Sequence, residues 1–233
     1  MLFDLKGKRR RTVQATYLTL AVLMGAGLVL FGIGSSVNGG LGDLFKGGNG
    51  SNQANQTIQK KIDASDKVLL RDPKNLAALA AVTRGHYQLA TATSDPNTGA
   101  FGKDSLQELQ ATTVAWKRYE AAAKKPDSGL ASLAIQAYDG LGTLTKSKAA
   151  YAGASDAAEI LATARPTAQS YVALVQYATL AGQTRKADLA GQQAIKLAPK
   201  GQKKAAKQAV AQAKAASLTQ GQTGQSGQTT PVP

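Results

Sequence analysis

Residues able to do chemistry are few in this chain and poorly spaced for it. There is one histidine, His86, and no cysteine, so thiolate metal sites, cysteine nucleophiles and disulfides are excluded together. His86 falls on the apolar stripe of an expected helix, where a lone histidine packs rather than catalyses. No His, Asp and Glu residues share metal-ligand spacing. Asp156 and Glu159 are helical neighbours and read as a surface pair rather than an acid and a base. Ser128 and Ser132 have no histidine to activate them. Trp116, Lys117, Arg118 and Tyr119 make one aromatic-basic knot, which reads as a core tryptophan among solvated charges. Gly99-Ala100-Phe101-Gly102-Lys103 is followed by Asp104 and lacks the spacing of a phosphate loop. No catalytic, cofactor-binding or metal-binding residue is assigned, no cofactor is implied, and the chain is not expected to be an enzyme.

Charge is the stronger signal. The formal net charge is +14, and no acidic residue follows Asp188. Lys200, Lys203, Lys204 and Lys207 follow the i, i+3, i+4, i+7 pattern and so share one face of an expected helix. That face is a candidate contact for anionic surfaces. On its opposite side Ala205, Ala209, Val210 and Ala213 offer an apolar stripe for capping what precedes.

The other basic cluster lies at the start. Lys6, Lys8, Arg9, Arg10 and Arg11 fall in residues 1–11, and no charged residue occurs from 12 to 42. Residues 15–33 are nearly all apolar. Nineteen helical residues span roughly 28 Å, close to the hydrocarbon thickness of a bilayer. A transmembrane helix is therefore expected over 12–34, with Tyr17 at the interface. A cleaved signal peptide would need a shorter apolar run and a small-x-small ending. Basic residues flanking a first span are held inside. Residues 1–11 are thus a cytoplasmic stub, and the rest of a single-pass chain lies outside the cytoplasm at the cell membrane. Nucleic acid is not an expected partner for a domain so placed.

Residues 35–56 are rich in Gly, Asn, Ser and Gln and read as a flexible linker. Residues 57–217 read as a helical domain. Apolar residues recur there at three- and four-residue steps, as in Leu76, Leu79, Val82 and Leu89. Pro73, Pro126, Pro166 and Pro199 each close one periodic segment and precede another. Residues 218–233 are low-complexity Gln, Gly and Thr and read as a disordered tail.

Within 168–201, Tyr171, Leu174, Ala178, Ala187, Ala194 and Pro199 are separated by steps of 3, 4, 9, 7 and 5, with Gly182 at a turn. This pattern resembles a tetratricopeptide repeat at its full length. Gly191 departs from it where the family prefers an aromatic, and Val175 where it prefers a small residue. Two earlier units resemble it more loosely. Leu130, Leu133 and Ala137 lead to Ala154, Ala158, Leu161 and Pro166 with a turn eight residues longer. Leu79, Val82 and His86 lead to Ala115, Tyr119, Ala122 and Pro126 with a segment about twenty residues longer. Residues 58–70 resemble a lone second helix and 200–217 a cap.

The resemblance implies an all-α, antiparallel helix-pair stack, an α-solenoid, preceded by one transmembrane helix. It implies repeat-packing roles for Leu79, Val82, Ala115, Tyr119, Leu130, Leu133, Ala154, Tyr171, Leu174, Ala178, Ala187, Ala194 and Pro199. The layout is similar to that of single-span periplasmic repeat proteins that assist secretion translocons. The implied function is a membrane-anchored scaffold binding a protein or peptide partner at the cell envelope. The alternative is binding of an anionic envelope polymer or lipid headgroups through Lys200, Lys203, Lys204 and Lys207.

Overall fold

A computed structural model of the chain describes residues 50–222. The expected transmembrane helix, the basic stub and residues 35–49 lie outside the described residues, as do 223–233. No helix among the described residues is long and apolar enough to cross a membrane.

The described residues are all-α: α1 (Gly50–Arg71), α2 (Leu76–Ala92), α3 (Leu106–Ala122), α4 (Ser128–Thr145), α5 (Lys148–Ala164), α6 (Ala168–Leu180), α7 (Thr184–Leu197) and α8 (Lys203–Gln222). Pro73, Pro126, Pro166 and Pro199 fall between successive helices, because proline lacks the N–H that a helix interior needs. Side-chain caps start several of them. Asn75 accepts from the Ala78 amide, Asp127 from Leu130 and Ser147 from Ala150, while Thr167 and Ser170 form a capping box.

Each helix packs on the next, most closely α2 on α3, α4 on α5 and α6 on α7; α2 also meets α4, and α6 meets α8. Alanine makes up more than half of the buried apolar residues. Its small side chain lets helix axes approach closely, and glycine carries this further. A Cβ on Gly142 would lie 2.7 Å from the Tyr151 ring, one on Gly153 2.5 Å from Tyr138, and one on Gly191 2.9 Å from Val210. Gly191 is therefore not a missing aromatic: Val210 of α8 occupies the space in front of it.

Several boundaries differ from the sequence reading. Helix α1 starts at Gly50, inside the segment read as linker over 35–56. Once 57–71 is helical, each added residue gains a backbone hydrogen bond at no nucleation cost; the Thr57 hydroxyl donates to the Gln53 carbonyl one turn back. Helix α8 similarly continues to Gln222, into the segment read as tail. The longer turn expected in the 130–166 unit is absent. Only Lys146 and Ser147 join α4 to α5, and the extra residues lengthen the helices, 18 and 17 residues against 13 and 14 in α6 and α7. Gly140 and Gly142 stay helical because Phe101 and Tyr151 pack over them. In the 79–126 unit the inserted segment is a true loop, and Phe101 on it meets Tyr87 edge-on, centroids 6.2 Å apart.

Candidate interaction face

The side chains read as repeat-packing divide by burial. Leu79, Val82, Ala115, Tyr119, Leu130, Ala154, Leu174, Ala178, Ala187 and Ala194 are buried. Leu133 and Tyr171 are half-buried, and Pro199 is exposed. Pro199 thus ends α7 through its backbone rather than by packing. Trp116 is buried with Lys117 and Arg118 exposed around it. His86 is half-buried and its Nδ1 lies 2.7 Å from Glu108 Oε2, tying α2 to α3. Asp156 and Glu159 both bind Lys186 Nζ at 2.8 Å, tying α5 to α7, and Lys214 of α8 reaches Asp188 of α7 at 2.6 Å. The two Lys186 pairs link the second helices α5 and α7 to each other. Each is partly exposed, so each contributes little to stability.

The face of the first helices is different. Along α4, Ser132, Gln136, Asp139 and Thr143 recur at three- and four-residue steps and stay at least partly exposed, while the rest of that helix is largely buried. Gln136 Oε1 accepts from the Tyr87 hydroxyl of α2 at 2.8 Å. On α6, Gln169, Val172 and Gln176 recur at the same steps and are likewise at least partly exposed. Asp139 is half-buried, and burial pushes its carboxyl above the usual carboxylate range. Burial, reinforced by the charge of Asp139 and by Tyr151, pushes the Tyr177 hydroxyl of α6 well above the usual phenol range. The strip is largely polar, with Val172 its apolar member. Among the described residues no group of three or more His, Cys, Asp and Glu could hold a metal ion.

Sequence reasoning missed this strip. The signal was present: Asp139 is the only charged residue in α4, and α6 has none.

The lysines lie at the far end of the chain order. Lys200, Lys203, Lys204 and Lys207 are all exposed, and none forms an ion pair among the described residues. Lys200 belongs to a 3-10 turn over Lys200–Gln202, so the α-helical face holds Lys203, Lys204 and Lys207 only. The buried stripe is Ala206, Val210 and Ala213 with Ala209 half-buried, and Ala205 is exposed. Residues 206, 210 and 213 keep i, i+4, i+7 spacing, whereas 205 lies about 100° round the helix from 206. The lysines therefore flank the packed stripe rather than oppose it.

No family model, curated protein or solved structure matches the chain.

Proposed function

We propose that this protein is a membrane-anchored, extracytoplasmic scaffold. In this reading its tetratricopeptide-like helix pairs bind a protein or peptide partner along the face of the first helices. The observation that carries it is the asymmetry between faces. Ion pairs tie α5 to α7 and α7 to α8, whereas α4 and α6 make no ion pair among the described residues and keep partly exposed polar side chains at Gln136, Asp139 and Gln176. Helices that pack in chain order, closest as α2–α3, α4–α5 and α6–α7, support the repeat-like reading. The five-charge stub before an uncharged run supports the anchor and its orientation. A protease added outside intact cells with a permeabilised wall should degrade the chain beyond residue 35. Recovery of a protected C-terminal domain would overturn the orientation and, with it, the envelope function.

The second reading, retention on anionic envelope polymers or lipid headgroups, is favoured by the unpaired state of Lys200, Lys203, Lys204 and Lys207. Lys186 and Lys214, by contrast, are spent on carboxylates. Exchanging the four lysines for glutamine should keep the helical signal and weaken retention on anionic vesicles, most at low salt. Equal retention of both versions at low salt would leave the lysines a solubilising role alone.

A further inference from the structure

The loop between α2 and α3 returns one side chain to the face of the first helices. From Thr91 to Asp104 every residue is exposed except Ser94 and Phe101, which are half-buried. The loop holds its own shape. The Asp95 carboxylate accepts from the Asn97 amide at 2.9 Å and the Thr98 amide at 2.8 Å, and the Asp95 amide donates to the Ala100 carbonyl at 2.9 Å. The Thr93 and Ser105 hydroxyls close its neck, 2.9 Å apart, and Ser105 donates to the Ala90 carbonyl of α2 at 3.1 Å. None of these bonds reaches α4. Phe101 does: a Cβ on Gly140 of α4 would lie 2.6 Å from its ring. Phe101, Tyr87 and Leu144 pack on Ala90, Leu109 and Ala137, with the Phe101 and Tyr87 rings edge-on. The Tyr87 hydroxyl donates to Gln136 of α4 at 2.8 Å. Gln136 stands one turn before Gly140 and so on the same side of α4. The seat of Phe101 therefore belongs to the same face as the polar strip.

We infer that this seat is a binding site for an aromatic side chain of an extended partner peptide, with Phe101 as its resident occupant, which the partner's ring replaces. The inference rests on the scaffold reading above and names a residue type that the face selects. Three features fit an exchange rather than a fixed core contact. The Phe101 ring is half-buried, so a competing ring reaches the same place from solvent. The hydrogen bonds of the loop and its neck do not involve α4, so they survive when Phe101 leaves. Gly140 has no side chain and gives a ring a flat floor, while Tyr87 supplies the edge-to-face partner that aromatic rings favour. An aliphatic side chain would make no such pair and would bury less area.

The test uses the full-length protein in detergent and two labelled peptides. One is residues 97–105 of the chain, and the other carries alanine in place of its phenylalanine. Three proteins are compared: the wild type, Phe101→Ala, and Phe101→Ala combined with Gly140→Leu, which puts a side chain into the vacated seat. Phe101→Ala should bind the phenylalanine peptide about tenfold more tightly than the alanine peptide, the scale of one ring taken out of water. The wild type should bind the phenylalanine peptide about tenfold more weakly than Phe101→Ala does, because its own ring competes. The double variant should keep the helical signal and bind both peptides alike. Equal or absent binding of the two peptides by Phe101→Ala overturns the aromatic site, as does a preference that survives in the double variant. Equal affinity of wild type and Phe101→Ala for the phenylalanine peptide overturns the role of Phe101 as occupant. None of these results touches the scaffold reading, which fails instead if no partner crosslinks to Gln136 or Gln176 in the native membrane.

Discussion

At the scale of single residues, glycine under a ring recurs. Gly140 receives Phe101, Gly142 receives Tyr151 and Gly153 receives Tyr138. Tyr138 is buried and its hydroxyl points to the Thr113 carbonyl of α3 at 3.5 Å, so its ring has little room to withdraw. Gly153→Ala would gain about 1 kcal/mol of helix propensity against an overpacking cost of roughly 1–3 kcal/mol. A net loss of about 1 kcal/mol is expected, seen as a lower denaturation midpoint with an unchanged slope. A stabilised variant would show that Tyr138 can move aside. Such contacts were not legible in the sequence. A glycine there shows only that a side chain is missing, and Gly191 accordingly read as a departure from a repeat when it is the seat of Val210. Asp139 was visible as a lone charge in a neutral helix, but its half-burial depends on how the helices pack, which no local pattern reveals.

At the scale of elements, helices and their order were readable because proline and three-to-four periodicity act locally. Four prolines separate helices where the periodic segments pause. Lengths were less readable. The residues between Ala137 and Ala154 could fill a turn or extend two helices. Packing of Phe101 and Tyr151 on Gly140 and Gly142 decides for extension, and both partners come from elsewhere in the chain. The resemblance to a repeat singled out Ala187 and Ala194 for helix contacts. Ala187 and Ala194 are buried on one side of α7, which packs on both α6 and α8. Replacing either with leucine should cost roughly 1–3 kcal/mol by overpacking. Two unchanged melting temperatures would mean that α7 does not pack through this face.

At the scale of the whole molecule, charge is sorted by surface. Carboxylates of α5 and α7 are bridged by lysines of α7 and α8, Lys200, Lys203, Lys204 and Lys207 form no ion pair among the described residues, and the open strip carries one half-buried aspartate on α4. A scaffold needs that division: one side fixes register between helices and the other stays available to a partner. A rival surface also exists, since Val114 of α3 and Leu189 of α7 are exposed apolar side chains on the second helices. The two are separated most directly by a photoreactive residue placed in turn at Gln136, Gln176, Val114 and Leu189 of the full chain, crosslinked in its native membrane. The scaffold account predicts discrete partner adducts from Gln136 and Gln176 and little from Val114 or Leu189. Adducts arising mainly from Val114 and Leu189, with none from Gln136 or Gln176, would contradict it.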